Sequence, residues 1–268
     1  GDTPGSGSGS RKAALCGVAF PSFPAYYPVH MIVSAHQPYF CPYPGYFLKA
    51  MHSDVFVLLD RVQFPRGGTW ITRNRFKNDQ GPFWMSIPVS RKGRGLQRID
   101  EVMISHDSRW KRKHLESLRC AYANAPYLRD HLPLFERAFA DAYENIADMN
   151  HDIILYAMGS LNISTRLARL SETGVKGSGT VLLVRLCRAL GAAEFLTSKS
   201  ARKHLDEDLF RDAGIKILYM DFPGIVYPQL WGRFVQNLSV FDLLFNCGPK
   251  SREIMERSYR GVCGKDSA

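Results

Sequence analysis

His36 and Cys41 stand five residues apart in the stretch IVSAHQPYFCPYPGYFLK, residues 32–49. A thiol attacks as its thiolate, and an imidazole close enough to take its proton is the least arrangement that activates one. The proline-rich turn between them predicts a bend that brings the two side chains together. Residues 32–35 read as a short apolar strand delivering His36 and Gln37 to its end, and helical periodicity resumes at Tyr46. Polar side chains at a strand end are rigidly held and face a crevice. Each residue also has a plainer reading. A lone cysteine in an apolar turn is a small buried hydrophobe, and His36 could simply bond a neighbouring backbone group.

The chain of 268 residues has room for one large domain, or for one domain with a helical appendage. Its 45% apolar and 12% aromatic content excludes wholesale disorder. A formal charge of +10 favours an acidic partner. Nucleic acid is not expected, because the basic residues are scattered, with short clusters only at 91–94 and 111–113, and no helix-turn-helix, zinc-finger or RNA-recognition signature occurs. The apolar runs fall well short of the ~20 residues a membrane span needs. Six cysteines, at 16, 41, 120, 187, 247 and 263, show no CxxC, which predicts reduced thiols in a cytoplasmic protein, with neither disulfides nor a metal site. Residues 11–20 imitate a signal peptide, but the apolar run is short and no A-x-A site follows.

Along the chain, residues 1–30 read as a flexible Gly/Ser/Pro-rich tail, with the folded part beginning at Met31. Residues 55–59 suit a strand buried on both faces, with Asp60 at its end. Residues 70–76 and 83–89 read as a hairpin turning at residues 79–81, with Arg73 and Arg75 on one face and Asn74 on the other. A basic glycine-containing loop (90–98) and a further strand (99–105) follow. Residues 108–190 read as a helical block, with helices at 108–124, at 132–161 broken near 148–152, and at 181–190, where Thr180 is the N-cap and Gly191 the end. Strands are expected again at 194–196 and 215–220, with a helix at 239–245. This order predicts an α/β fold: a mainly parallel sheet with a β-hairpin insertion and a helical subdomain, one domain over residues 31–250 and a tail over 251–268.

The blocks HQPYFCPYPGYFLK, DVFVLLDRVQF, WITRNRFKNDQGPFWMSIPV, WKRKHLESLRCAYANAPYL, YPQLWGRF and SVFDLLFNCGP, in that order, resemble the WbqC-like protein family over residues 32–249. The family is associated with gene clusters for surface polysaccharides and sugar-containing secondary metabolites. The chain is also similar to the condensing enzymes of lincosamide antibiotic assembly, which join a carrier-bound amino acid to an amino sugar with a cysteine-protease-like arrangement. Cys41 departs from the family pattern, which usually has leucine there, and the departure favours thioester chemistry.

The resemblance implies an amide-forming acyltransferase. Cys41 would take an acyl group from a carrier-protein thioester, His36 would accept its proton, and Asp60 would orient the imidazole. Gln37 and Asn74 would donate to the oxyanion, and Trp70, Arg73, Asn74 and Arg75 would hold an amino-sugar acceptor. Arg91, Lys92, Arg94, Lys111, Arg112 and Lys113 would dock an acidic carrier, whose phosphopantetheine arm replaces any tightly bound cofactor. Cys247 is the second candidate nucleophile. Three alternatives stay open: Asp60 as an ordinary cap, direct aminolysis with His36 as base, and a noncatalytic sugar-nucleotide or polysaccharide-binding protein in which Cys41 only packs. TSKS at 197–200 resembles the KMSKS loop of nucleotide-activating enzymes, but their HxGH motif is absent, so Lys199 and Lys203 read as a solvated face.

Overall fold

The computed structural model describes residues 30–91, 93–106, 109–140, 143–222 and 224–259, with the backbone of 262–263. Apart from His30, the expected N-terminal tail lies outside them, as does Lys92.

Five short strands run parallel: β1 (Ile32–His36), β2 (Val55–Leu58), β5 (Arg166–Arg169), β6 (Glu194–Ser198) and β7 (Lys216–Met220). A sixth, β8 (Val262–Cys263), pairs antiparallel with β7, giving the order β5-β2-β1-β6-β7-β8. The two remaining strands, β3 (Arg73–Asn78) and β4 (Gly81–Ser86), form a separate antiparallel hairpin. The chain thus fills the sheet on one side of β1, then returns to fill the other. The reversal falls between β1 and β6, the point where open α/β sheets leave a crevice at the carboxyl ends of their strands.

Alternating strand residues explain why both faces are covered. Val33, Val57 and Phe195 pack against α6 (Gly179–Leu190) and α7 (Glu207–Asp212). Phe56, Leu58 and Leu196 face a larger core. That core is built with α1 (Pro44–Met51), α2 (Trp110–Ala121), α3 (Leu128–Ala138), α4 (Ile146–Ser160), α8 (Val240–Cys247) and the hairpin.

Several boundaries differ from the sequence reading. Residues 99–105, expected as a strand, form a 3-10 turn at Ile99–Glu101 followed by isolated bridges from Met103 and Ile104. The helical stretch 132–161 does not break at 148–152. Asn145 caps α4 by accepting from the Asp148 N–H at 2.9 Å, so the break precedes it. Inside the expected helical block lies β5, an edge strand flanked by Arg166 and Arg169, and the four-residue helix α5 (Leu170–Thr173). The N-cap of α6 is Ser178, two residues before Thr180. Finally, the expected C-terminal tail contains α9 (Ser251–Arg257), because Met255 is buried in the core and Ile254 packs against it.

Candidate active site

β1 carries His36 to its end, and the chain then turns through Gln37–Pro44 into α1. That bend is held by side chains drawn from distant parts of the sequence. The Asn150 amide donates to the carbonyls of Pro38 and Ile71, each at 2.8 Å. The Asn74 amide donates to Phe40 at 3.1 Å and Cys41 at 2.6 Å, while Val240 N–H takes the Pro42 carbonyl. Cys41 itself adopts a left-handed conformation, φ 44°, which is uncommon outside glycine.

These bonds hold the backbone of the bend. Cys41 is 0% exposed, belongs to the apolar core and is absent from the lining of the crevice at the strand ends. Burial pushes its thiol well above the ordinary range, so the thiolate is disfavoured where it stands. In this structure Cys41 therefore packs in the core and is not part of the crevice. Cys247, at the end of α8, is also buried, and burial foremost raises its thiol to about 11. The Asp60 carboxylate is engaged by Ser171, and no contact between it and His36 is found among the described residues. Its two oxygens accept from the backbone N–H and the hydroxyl of Ser171, at 2.9 and 2.5 Å, in the first turn of α5. Asn74 is buried against the bend rather than aimed at a ligand.

His36 and Gln37 do line the crevice. The ring of His36 lies 4.5 Å from that of Tyr39 and 4.7 Å from that of Tyr46, and its Nδ1 sits 3.1 Å from the Gln37 carbonyl. That contact makes Nδ1 the protonated nitrogen and leaves Nε2 as the basic one. Burial lowers the imidazole well below its ordinary value, the Lys49 charge lowers it further, and the Gln37 carbonyl only partly opposes them. His36 is therefore neutral at neutral pH.

The crevice holds residues the sequence reading did not select. Lys49, from α1, is 5% exposed and donates to the Ala35 carbonyl at 2.8 Å. Burial draws it down to about 7. Its signal was a lysine on a helix otherwise buried almost throughout. Gly179 and Thr180 at the start of α6, Thr197 and Ser198 at the end of β6, and His204 complete the polar lining of a cavity of about 450 Å³. HQP and TSKS, far apart in sequence, thus share one crevice, although Lys199 pairs with Asp221 at 3.1 Å and is not among its lining. No group of three or more His, Cys, Asp or Glu among the described residues is placed to hold a metal ion.

The hairpin residues lie elsewhere. Trp70 and Trp84 are 40% and 46% exposed, with ring centres 5.4 Å apart, and the Arg73 guanidinium lies 4.5 Å from the Trp84 ring. Arg75 donates to the carbonyls of Gln236 and Asn237, tying the hairpin to that loop. Trp84 borders a broad groove of about 890 Å³ between the hairpin and α2, which also includes Lys113. Of the other expected docking residues, Arg91 is committed to the carbonyls of Arg66 and Gly67, Lys111 contacts His106 and Arg112 lies 3.6 Å from Glu116. Arg94 is exposed.

Fold and crevice together define an open, mainly parallel α/β protein with a crevice at its topological switch point. The chain belongs to the WbqC-like protein family, which it matches over residues 37–254. It is similar to the uncharacterized protein Rv1507c of Mycobacterium tuberculosis, at 31% identity over 225 residues that cover 83% of this chain and 96% of the relative. No solved structure matches it. No helix among the described residues is long and apolar enough to cross a membrane.

Proposed function

We propose that this protein is an amide-forming acyltransferase that acts by direct aminolysis in the strand-end crevice, with His36 as general base. The observation that carries the reading is the placement of His36 at the end of β1, with Nδ1 turned to the Gln37 carbonyl and the ring lining a cavity of about 450 Å³. An amine nitrogen attacks the thioester carbonyl of a carrier-bound acyl or aminoacyl group. The C–N bond forms and the C–S bond breaks; His36 Nε2 receives the amine proton and passes it to the departing sulfur, so the carrier's phosphopantetheine leaves as the thiol. Gln37, which also lines the crevice, would donate its side-chain amide to the developing oxyanion. Cys41 has no covalent part in this scheme, in keeping with its burial.

The test mixes the protein with an aminoacyl N-acetylcysteamine thioester and glucosamine, then follows thiol release and the intact protein mass. Amide product without an acyl adduct on the protein supports the reading. An adduct on Cys41, or no product with any amino-sugar or simple amine acceptor, contradicts it.

A second reading is favoured by the exposed Trp70, Trp84 and Arg73 cluster. Aromatic faces beside a planar cation suit hydroxylated rings, so a noncatalytic saccharide-binding role would place the ligand on the hairpin. Glucosamine-oligomer binding lost in Trp84→Ala but kept in His36→Gln distinguishes it.

A further inference from the structure

The described lining of the strand-end crevice carries no carboxylate, while Lys49, His36 and His204 are all present. Asp206, whose backbone N–H reaches the Thr180 hydroxyl at 3.0 Å, turns its own carboxylate to the first turn of α7, accepting from Asp208 N–H at 3.1 Å. The Lys49 ammonium is 95% buried by side-chain packing, its exposure being 5%, and the Ala35 carbonyl is its one hydrogen-bond partner found among the described residues. No carboxylate among them lies within ion-pair distance of it. Burial holds Lys49 only partly charged near neutral pH, and an anionic ligand in the crevice would stabilise its ammonium form.

A second, independent set of donors faces the same space. α6 has 12 residues, and its N-cap, Ser178, makes no side-chain capping bond. The N–H groups of its first turn have no partner within the helix, and they carry the positive end of its dipole. Gly179 and Thr180, which open that turn, both line the crevice. The Thr180 hydroxyl accepts from Asp206 N–H, which leaves its own proton free to donate into the cavity. Thr197 and Ser198 add hydroxyls from the end of β6. Helix amides, hydroxyls and a buried ammonium converging at the carboxyl edge of a parallel sheet, where the strand order reverses, are the elements of phosphate recognition.

From these we infer that the crevice binds the phosphate group of a phosphorylated ligand between Lys49 and the start of α6. The inference deepens the proposed function and rests on it for the choice of site, since it names a phosphate-bearing substrate for the crevice in which His36 acts. Two sources share this chemistry: the phosphopantetheine arm of a carrier and a nucleoside phosphate.

Calorimetric titration of the full-length protein with inorganic phosphate, ADP and 4′-phosphopantetheine tests it, with Lys49→Met and Thr180→Val alongside. Saturable binding of at least one phosphate probe, weakened tenfold or more by Lys49→Met and several-fold by Thr180→Val, is the expected result. Tighter binding of phosphopantetheine than ADP identifies a carrier arm, and the reverse order a nucleotide; either supports the phosphate site. Absence of saturable binding for all three probes overturns it, as does binding that both variants leave unchanged. If Lys49→Met does not fold, Thr180→Val alone decides. Because binding is read without turnover, phosphate binding without aminolysis removes the transferase and keeps this site, and aminolysis without phosphate binding does the opposite.

Discussion

The Asn74 side-chain amide donates to the Cys41 carbonyl at 2.6 Å and in the same grip to Phe40 at 3.1 Å, with Asn74 only 1% exposed. Removing that amide leaves two buried carbonyls without their donor. Asn74→Ala should therefore destabilise the fold by roughly 2–4 kcal/mol, measured by urea unfolding. A loss below about 0.5 kcal/mol would show that the clamp contributes little.

The burial of Cys41 predicts a pattern of reactivity. Of the four free cysteines described, only Cys120 is exposed, while Cys41, Cys187 and Cys247 are buried. Iodoacetamide under native conditions should label Cys120 and spare Cys41, as read by peptide mass mapping. Rapid labelling of Cys41 would mean that its thiol reaches solvent.

Asp60 holds the first turn of α5 through Ser171. Asp60→Ala should lower stability by about 1–2 kcal/mol through the lost cap and leave the acid limb of the pH–rate profile where it was. A residue orienting the His36 imidazole would shift that limb and depress turnover far more than stability.

Lys49 gives a signed dependence of stability on pH. Burial draws it from 10.5 to about 7 in the folded protein. Between those values the unfolded chain holds a proton that the folded one has released, so stability rises with pH across that window, and the cost of the buried charge is felt in full below pH 7. Lys49→Met should flatten the rise and stabilise the protein near pH 6 by an amount on the order of a few kcal/mol. Urea unfolding at pH 6, 8 and 10 checks it, and an unaltered slope contradicts it.

The parallel sheet was legible because its central strands are apolar on both faces, and the hairpin because the Asp79-Gln80-Gly81 turn separates two β-rich runs. β5 was not, since an edge strand of four residues with arginine at both ends carries no apolar alternation. His36 and Gln37 could be placed at a strand end from pattern alone. The spacing of His36 and Cys41 could not reveal that Cys41 takes a left-handed backbone conformation and turns into the core, because that geometry depends on Asn74, Asn150 and Val240, residues 33, over 100 and nearly 200 positions away. Lys49 was passed over because a lysine in a short helix ordinarily reads as solvated, and only the packed structure buries it beneath the end of β1.

Which side chain of the HQPYFC bend does chemistry is tested most directly by kcat/KM for thioester aminolysis in Cys41→Ala and His36→Gln, with folding of each verified. Cys41→Ala should stay within about threefold of the parent protein, and His36→Gln should fall by about a hundredfold or more, as loss of a general base implies. Abolished transfer in a folded Cys41→Ala protein, or undiminished transfer in His36→Gln, would contradict the proposed function.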